Sequence, residues 1–238
     1  MKFKIVNIIE FNKLNCLIKF YSIGRYLMDV YEKISKLKII PVAVIENSDQ
    51  AVPLGKALLN AGLPVLEITF RTEAAAEAIR RVSKELPNLF IGAGTILKIE
   101  QVKQAVNSGA QFIVTPGFNP KVVDYCIDNK LIIIPGLNTP SMIEWALERG
   151  ITFVKFFPAD LSGGPKMLKI LSGPYPDMKF MPTGGVNNES MIDYLKLNNV
   201  LAVGGSWIVP KDLISSGNFE EITKRTKRAL DLLHKSLG

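Results

Sequence analysis

Two charged side chains stand where charge is expensive. Glu67 lies inside the apolar run VLEITF (65–70) and Lys155 inside FVKFFP (153–158). Along an extended chain Val65, Glu67 and Thr69 share one face, and Phe153, Lys155 and Phe157 share another. An ordinary lysine has a pKa of about 10.4, which leaves about 1 amine in 2,500 neutral at pH 7. Burial among phenylalanines disfavours the ammonium, and a pKa of roughly 7–8 raises the neutral fraction by ~10²–10³. A neutral amine attacks ketones and forms a Schiff base. The iminium then draws electrons from a neighbouring bond, while a carboxylate opposite moves protons. The competing reading is a buried structural ion pair, because buried charges are usually paired for satisfaction.

Other residues suit an anionic substrate. Thr183-Gly184-Gly185 and Gly204-Gly205-Ser206 are glycine clusters at the ends of apolar runs. Glycine lets backbone N–H groups converge on a phosphate with no side chain in the way, although glycine also simply ends strands. Arg71 closes the run that holds Glu67, and its guanidinium fits a carboxylate bidentately. A surface pair with Glu73 is the plainer alternative. Thr95, after Gly92-Ala93-Gly94, suits a carboxylate or a hydroxyl. The only histidine is His234, near the C-terminus, which leaves no basis for a Ser-His-Asp triad, a His-ligated metal or a His base. Cys16 and Cys126 are 110 residues apart and form neither a CxxC pair nor a zinc cluster. Neither metal nor cofactor is expected, and a reducing cytoplasm is the expected compartment.

Regular elements must position these groups. Eight apolar runs follow one another: Ile39–Ile45, Val65–Phe70, Phe90–Thr95, Phe112–Gly117, Leu131–Gly136, Phe153–Pro158, Lys179–Gly185 and Val200–Trp207. Their starts are 19 to 26 residues apart. Near-continuous apolar runs are the mark of strands buried on both faces. Helical patterns separate them, at 48–61, 72–86, 99–108, 120–128, 141–149, 166–171 and 189–197, and a last helix spans Phe219–Leu237. Asn47, Asn119 and Asn187 read as caps. This alternation predicts a single (β/α)8 TIM barrel with an N-terminal helix at Asp29–Leu37. A doubly wound open sheet is the alternative, but the first run ends in IENSD, without the glycine-rich turn such sheets carry. In a barrel the second and sixth strands face each other, so Glu67 and Lys155 are expected to meet across the lumen. The glycine clusters then fall on the loops after strands seven and eight, where barrels often bind phosphate.

Composition narrows the function classes. The 238 residues are 47% hydrophobic and 21% charged, which excludes a disordered chain. Of the net charge of +7, more than half sits in residues 1–27, where Lys2, Lys4, Lys13, Lys19 and Arg25 oppose Glu10 alone. The remainder holds no basic cluster with interleaved aromatics, so no nucleic-acid partner is expected. Residues 1–27 lack the unbroken apolar core and small-residue cleavage site of a signal peptide. No stretch of about 18 apolar residues occurs, so no membrane span is expected. An interfacial amphipathic anchor is the functional alternative for this segment. Met28, opening MDVYEKISKLKIIPV, is the expected natural start. Residues 1–27 are then an extension outside the native chain or loosely attached to it, and 28–238 form one domain.

The motifs EITFRTE (67–73), GAGT (92–95), TPG (115–117), KFFPA (155–159), PTGG (182–185) and GGSW (204–207) occur in this order. Together they resemble the 2-keto-3-deoxy-6-phosphogluconate (KDPG) / 4-hydroxy-2-oxoglutarate (KHG) aldolases, over about residues 33–235. The resemblance implies Lys155 as the Schiff-base lysine and Glu67 as the general acid/base. Arg71 and Thr95 would hold the pyruvate carboxylate end, with Pro116, Phe157 and Thr183 also against the substrate. Gly184, Gly185, Gly205 and Ser206 would hold the phosphate. It further implies a small phosphorylated 2-keto-3-deoxy sugar acid as substrate and a homotrimer. Two positions depart from the pattern: Asp160 stands where Glu is usual and Pro165 where an aliphatic residue is usual. The galactonate-series aldolase, a phosphosugar isomerase or epimerase, and a phosphate-binding barrel without aldolase activity are the alternatives.

Overall fold

The computed structural model describes residues 29–237. The extension at 1–27 and the start at Met28 lie outside the described residues.

Residues 29–37 are helical (α1) and lead directly into β1 (Ile39–Ala43). A 3-10 turn, Ser48–Gln50, then runs into α2 (Ala51–Asn60). Strand and helix alternate from there: β2 (Val65–Thr69), α3 (Ala75–Glu85), β3 (Phe90–Gly94), α4 (Ile99–Asn107), β4 (Phe112–Val114) and α5 (Pro120–Asp128). Next come β5 (Ile133–Ile134), β6 (Gly136–Leu137), α6 (Pro140–Glu148), β7 (Phe153–Phe156), α7 (Gly164–Leu171) and β8 (Lys179–Pro182). The chain ends with α8 (Met191–Leu195), β9 (Val203–Gly205), α9 (Lys211–Ser215) and α10 (Phe219–Leu237).

Every residue of β2 and β3 is buried, as near-continuous apolar strands require. The helices between them cover the sheet with one face. In α3, Ala75, Ala78, Ile79 and Val82 are buried, while Arg80 and Arg81 on the opposite side pair with Glu77. Burying a side chain such as Ile79 or Val82 stabilises by roughly 1.5–3 kcal/mol, far more than the exposed ion pairs. Caps fix where the helical segments begin. Asn47 accepts from the Asp49 N–H and Asn119 from Lys121, whereas Asn187, expected to cap a helix at 189–197, accepts from Glu189 and Ser190 in the turn before α8, which starts only at Met191 behind Ser190. Thr139 caps α6 in the same way through Met142.

All strand pairs are parallel. One sheet has six strands in the order β5-β4-β3-β2-β1-β9, and a second has the order β6-β7-β8. Isolated bridges, Phe180 with Val200 and Thr183 with Gly204, connect β8 to the region of β9. The six-stranded sheet curls, and Phe112, Phe153, Phe156 and Phe180 are among the largest fully buried side chains of the core. The run at 131–136 predicts one strand, but two short strands form. Pro135 has no N–H for the ladder and breaks it, while its carbonyl still accepts from the Lys155 N–H at 2.9 Å. The one-turn helix α9 is too short for any periodicity to announce. Pro165 sits in the first turn of α7, where the missing N–H costs nothing. No described helix is long and apolar enough to cross a membrane.

Candidate active site

Strand register brings the two charges to comparable depth. Glu67 on β2 lies between Val42 of β1 and Gly92 of β3. Lys155 on β7 lies between Gly136 and Met181. Glu67 is 0% exposed and Lys155 is 5% exposed. Burial raises the Glu67 pKa, and the positive charges of Lys155 and Arg71 oppose that rise. Burial lowers the Lys155 pKa, the Glu67 charge opposes the fall, and Arg71 adds to it. The two groups therefore sense each other electrostatically. Yet neither Glu67 oxygen has a hydrogen-bond partner among the described residues, so no bonded ion pair forms. Lys155 Nζ instead stands 5.0 Å from the centre of the Phe157 ring. A structural pair would use those oxygens, because a buried unsatisfied carboxylate is costly. Buried ionisable groups whose pKa values are shifted by burial and by each other are candidates for acid/base chemistry.

The position of the carboxylate depends on a missing side chain. A Cβ on Gly94 would come within 1.9 Å of Glu67 Oε1. Glu67 therefore leans over the backbone of β3, toward the C-terminal ends of the strands. Gly94→Ala is expected to push the carboxylate aside and lower kcat about 10²-fold, the scale of an ångström-sized misplacement. Imine trapping at Lys155 should persist in this variant, and kcat within threefold of the parent would show that the close approach has no catalytic consequence.

A cleft of about 220 Å³ opens at these strand ends. Its wall includes Arg71, Thr95, Lys155, Phe157 and Thr183, together with Gly184, Gly185, Gly205 and Ser206. Nine of the expected site residues thus converge on one cleft, although they come from five different strands or the loops after them. Glu67 lies deeper, behind that wall. Pro116 does not line the cleft; its backbone carbonyl packs where a Cβ on Gly136 would fall, at 2.4 Å. Val42, Val44, Val186, Val209 and Lys211 also line the cleft, and sequence reasoning missed them. Four of the five are ordinary apolar residues with no chemical signature.

The loops that carry the polar groups are firmly held. Thr72 Oγ1 donates to the Ile45 carbonyl at 2.5 Å and ties the loop after β2 to the end of β1. The Phe70 N–H donates to the Gly94 carbonyl at 2.8 Å. Arg71 is thereby set between the inner cleft and a more open one that it shares with Glu73, with no ion pair between the two. Thr95 has φ +57°, a left-handed conformation that a β-branched residue rarely adopts. Such strain persists where surroundings impose it, often at functional sites. Gly184 and Gly185 have φ of +94° and +88°, so a side chain would be strained at either position. Asp160 backs Gly185, its Oδ2 lying 3.2 Å from where a Cβ would be. Among the described residues, no group of three or more His, Cys, Asp or Glu is placed to hold a metal ion.

Residues 30–225 match the family model described as KDPG and KHG aldolase. The chain belongs to the KDPG and KHG aldolase family. A 2-dehydro-3-deoxy-phosphogluconate aldolase of Haemophilus influenzae is 50% identical over 204 residues, covering 86% of this chain and 96% of its own. The KHG/KDPG aldolase of Escherichia coli K12 is 39% identical over 193 residues, covering 81% and 91%. A crystal structure of KDPG aldolase from Legionella pneumophila, with pyruvate captured as a covalent carbinolamine, superimposes with a TM-score of 0.79. It is 39% identical and covers 81% of this chain and 93% of its own. Within the family fold, the buried lysine and the glycine-lined cleft of this aldolase lie at the same strand ends.

Proposed function

We propose that this aldolase cleaves 2-dehydro-3-deoxy-6-phosphogluconate to pyruvate and glyceraldehyde 3-phosphate through a Schiff base on Lys155. The observation that carries this reading is the buried amine of Lys155 at the cleft, with the unpartnered carboxylate of Glu67 behind it. The neutral amine adds to the C2 ketone, and loss of water leaves an iminium. Glu67 accepts the proton of the C4 hydroxyl as the C3–C4 bond breaks. The bonding electrons pass into the iminium, and glyceraldehyde 3-phosphate leaves as the aldehyde. Protonation of the enamine at C3 and addition of water then release pyruvate and the free amine. Arg71 and Thr95 bind the carboxylate, Phe157 and Thr183 shape the site, and Gly184, Gly185, Gly205 and Ser206 bind the phosphate through N–H and hydroxyl donors. The same amine is proposed to cleave 4-hydroxy-2-oxoglutarate to pyruvate and glyoxylate.

We read the two sheets as one closed (β/α)8 barrel within a single domain over the described residues 29–237. Only Pro135 separates β5 from β6, and the bridges at Val200 and Gly204 join β8 to β9, which supports closure. We also propose a homotrimer. Leu97, Trp145, Leu161 and Ile170 are exposed large apolar side chains, the kind of surface an assembly covers, and light scattering at three chain masses is the check.

A coupled assay of pyruvate release tests the substrate. The gluconate-series acid is expected to be cleaved faster than its galactonate-series epimer at C4. Faster cleavage of the epimer would move the assignment to the galactonate series. Pyruvate from neither would end the aldolase reading.

A further inference from the structure

Three cations line the cleft: Arg71, Lys155 and Lys211. The first two have work at the carboxylate end, and Lys155 must be neutral to attack. The phosphate end, formed by Gly184, Gly185, Gly205 and Ser206, offers only N–H groups and one hydroxyl. A phosphate monoester brings a charge of about −1.5 to −2. Two carboxylates stand against lining residues of the cleft. Asp160 packs behind Gly185, and Glu46 lies 2.7 Å from Lys211 Nζ. Anion binding there gains from a positive charge, and Lys211 is the cation that the cleft wall supplies.

The present partner of Lys211 is weakly held. The Lys211 and Glu46 side chains are 58% and 55% exposed, and exposed pairs of this kind contribute little. A lysine is a compact charge on a flexible stem with three donors, suited to moving between neighbouring acceptors. We propose that Lys211 determines specificity by leaving Glu46 for the substrate phosphate, so that the aldolase favours phosphorylated 2-keto acids. This rests on reading the glycine end of the cleft as the phosphate site.

The test compares a phosphorylated ligand with an unphosphorylated one. The KM for 2-dehydro-3-deoxy-6-phosphogluconate is set against the pyruvate concentration that half-saturates borohydride trapping at Lys155. Lys211→Met should raise the first by about tenfold relative to the second, the worth of a hydrogen bond to a charged group. It should also flatten the salt dependence of that KM, because a screened attraction has been removed. Glu46→Gln should leave the ratio unchanged or shift it the opposite way, since Lys211 is then released. If Lys211→Met and Glu46→Gln act alike on both ligands, the pair only anchors α9 and the proposal is overturned. Ser206→Ala distinguishes the underlying reading. A ratio shifted by Ser206→Ala but not by Lys211→Met removes Lys211 alone. If neither variant shifts it, and inorganic phosphate does not compete with the sugar acid, the phosphate site itself is wrong.

Discussion

Lys155→Ala is expected to abolish aldol cleavage, with a loss of roughly 10⁴-fold or more, the scale seen when a covalent nucleophile is removed. Borohydride added with pyruvate should trap a covalent adduct on the parent chain, and mass spectrometry should place it on the Lys155 peptide. The variant should take up no adduct. An unmodified Lys155 peptide in the parent chain, or cleavage by the variant within tenfold, would refute the Schiff-base assignment. Loss of fold is controlled with Lys155→Met, which keeps the buried volume. Removing the ammonium also removes a charge that restrains the Glu67 pKa, so Glu67 becomes easier to protonate and no lone buried anion need remain. The pH dependence of trapping carries an independent sign. Neutral amine increases as pH rises through the Lys155 pKa, so trapping accelerates toward alkaline pH. Burial places that rise below the ordinary lysine range. The Glu67 charge pulls it upward and Arg71 pushes it downward. Glu67→Gln should therefore move the rising limb to lower pH, and Arg71→Met should move it to higher pH. The opposite order would mean that these groups do not set the state of the amine.

Glu67→Gln carries the second large effect. The amide keeps the size of the side chain but cannot take the C4 hydroxyl proton. Loss of general acid–base catalysis typically costs ~10²–10⁴ in rate, and a fall of that order in kcat is expected. Adduct formation with pyruvate should be slowed without being abolished, because Lys155 remains. The structure sharpens this expectation. The Glu67 oxygens hold no hydrogen bond that the amide would have to replace among the described residues. Thermal stability should consequently change far less than kcat. Activity within threefold of the parent would reduce Glu67 to an electrostatic neighbour of Lys155.

Much of this protein is readable from the chain alone, for identifiable reasons. Strands buried on both faces must be apolar almost without interruption, so β1 to β4 and β7 to β9 show as runs broken by more polar helices. Against that background Glu67 and Lys155 are conspicuous, because a buried charge needs a purpose. The glycine clusters at 184–185 and 204–205 are legible because they end strands and precede polar turns. Other features depend on contacts between distant segments, which local pattern cannot express. The break at Pro135 follows from which ladder partner it faces. The demand for glycine at 94 exists only because a carboxylate from the neighbouring strand lies over it. Pro116 belongs to a motif, yet its backbone packs on Gly136 and it does not line the cleft. Lys211 resembles any surface lysine until the fold sets it on the wall of the cleft that Gly205 and Ser206 also line. Residue type and periodicity determine which face of an element is buried. Register and loop packing decide which groups share a cleft, because those distances are set by residues far apart in the chain.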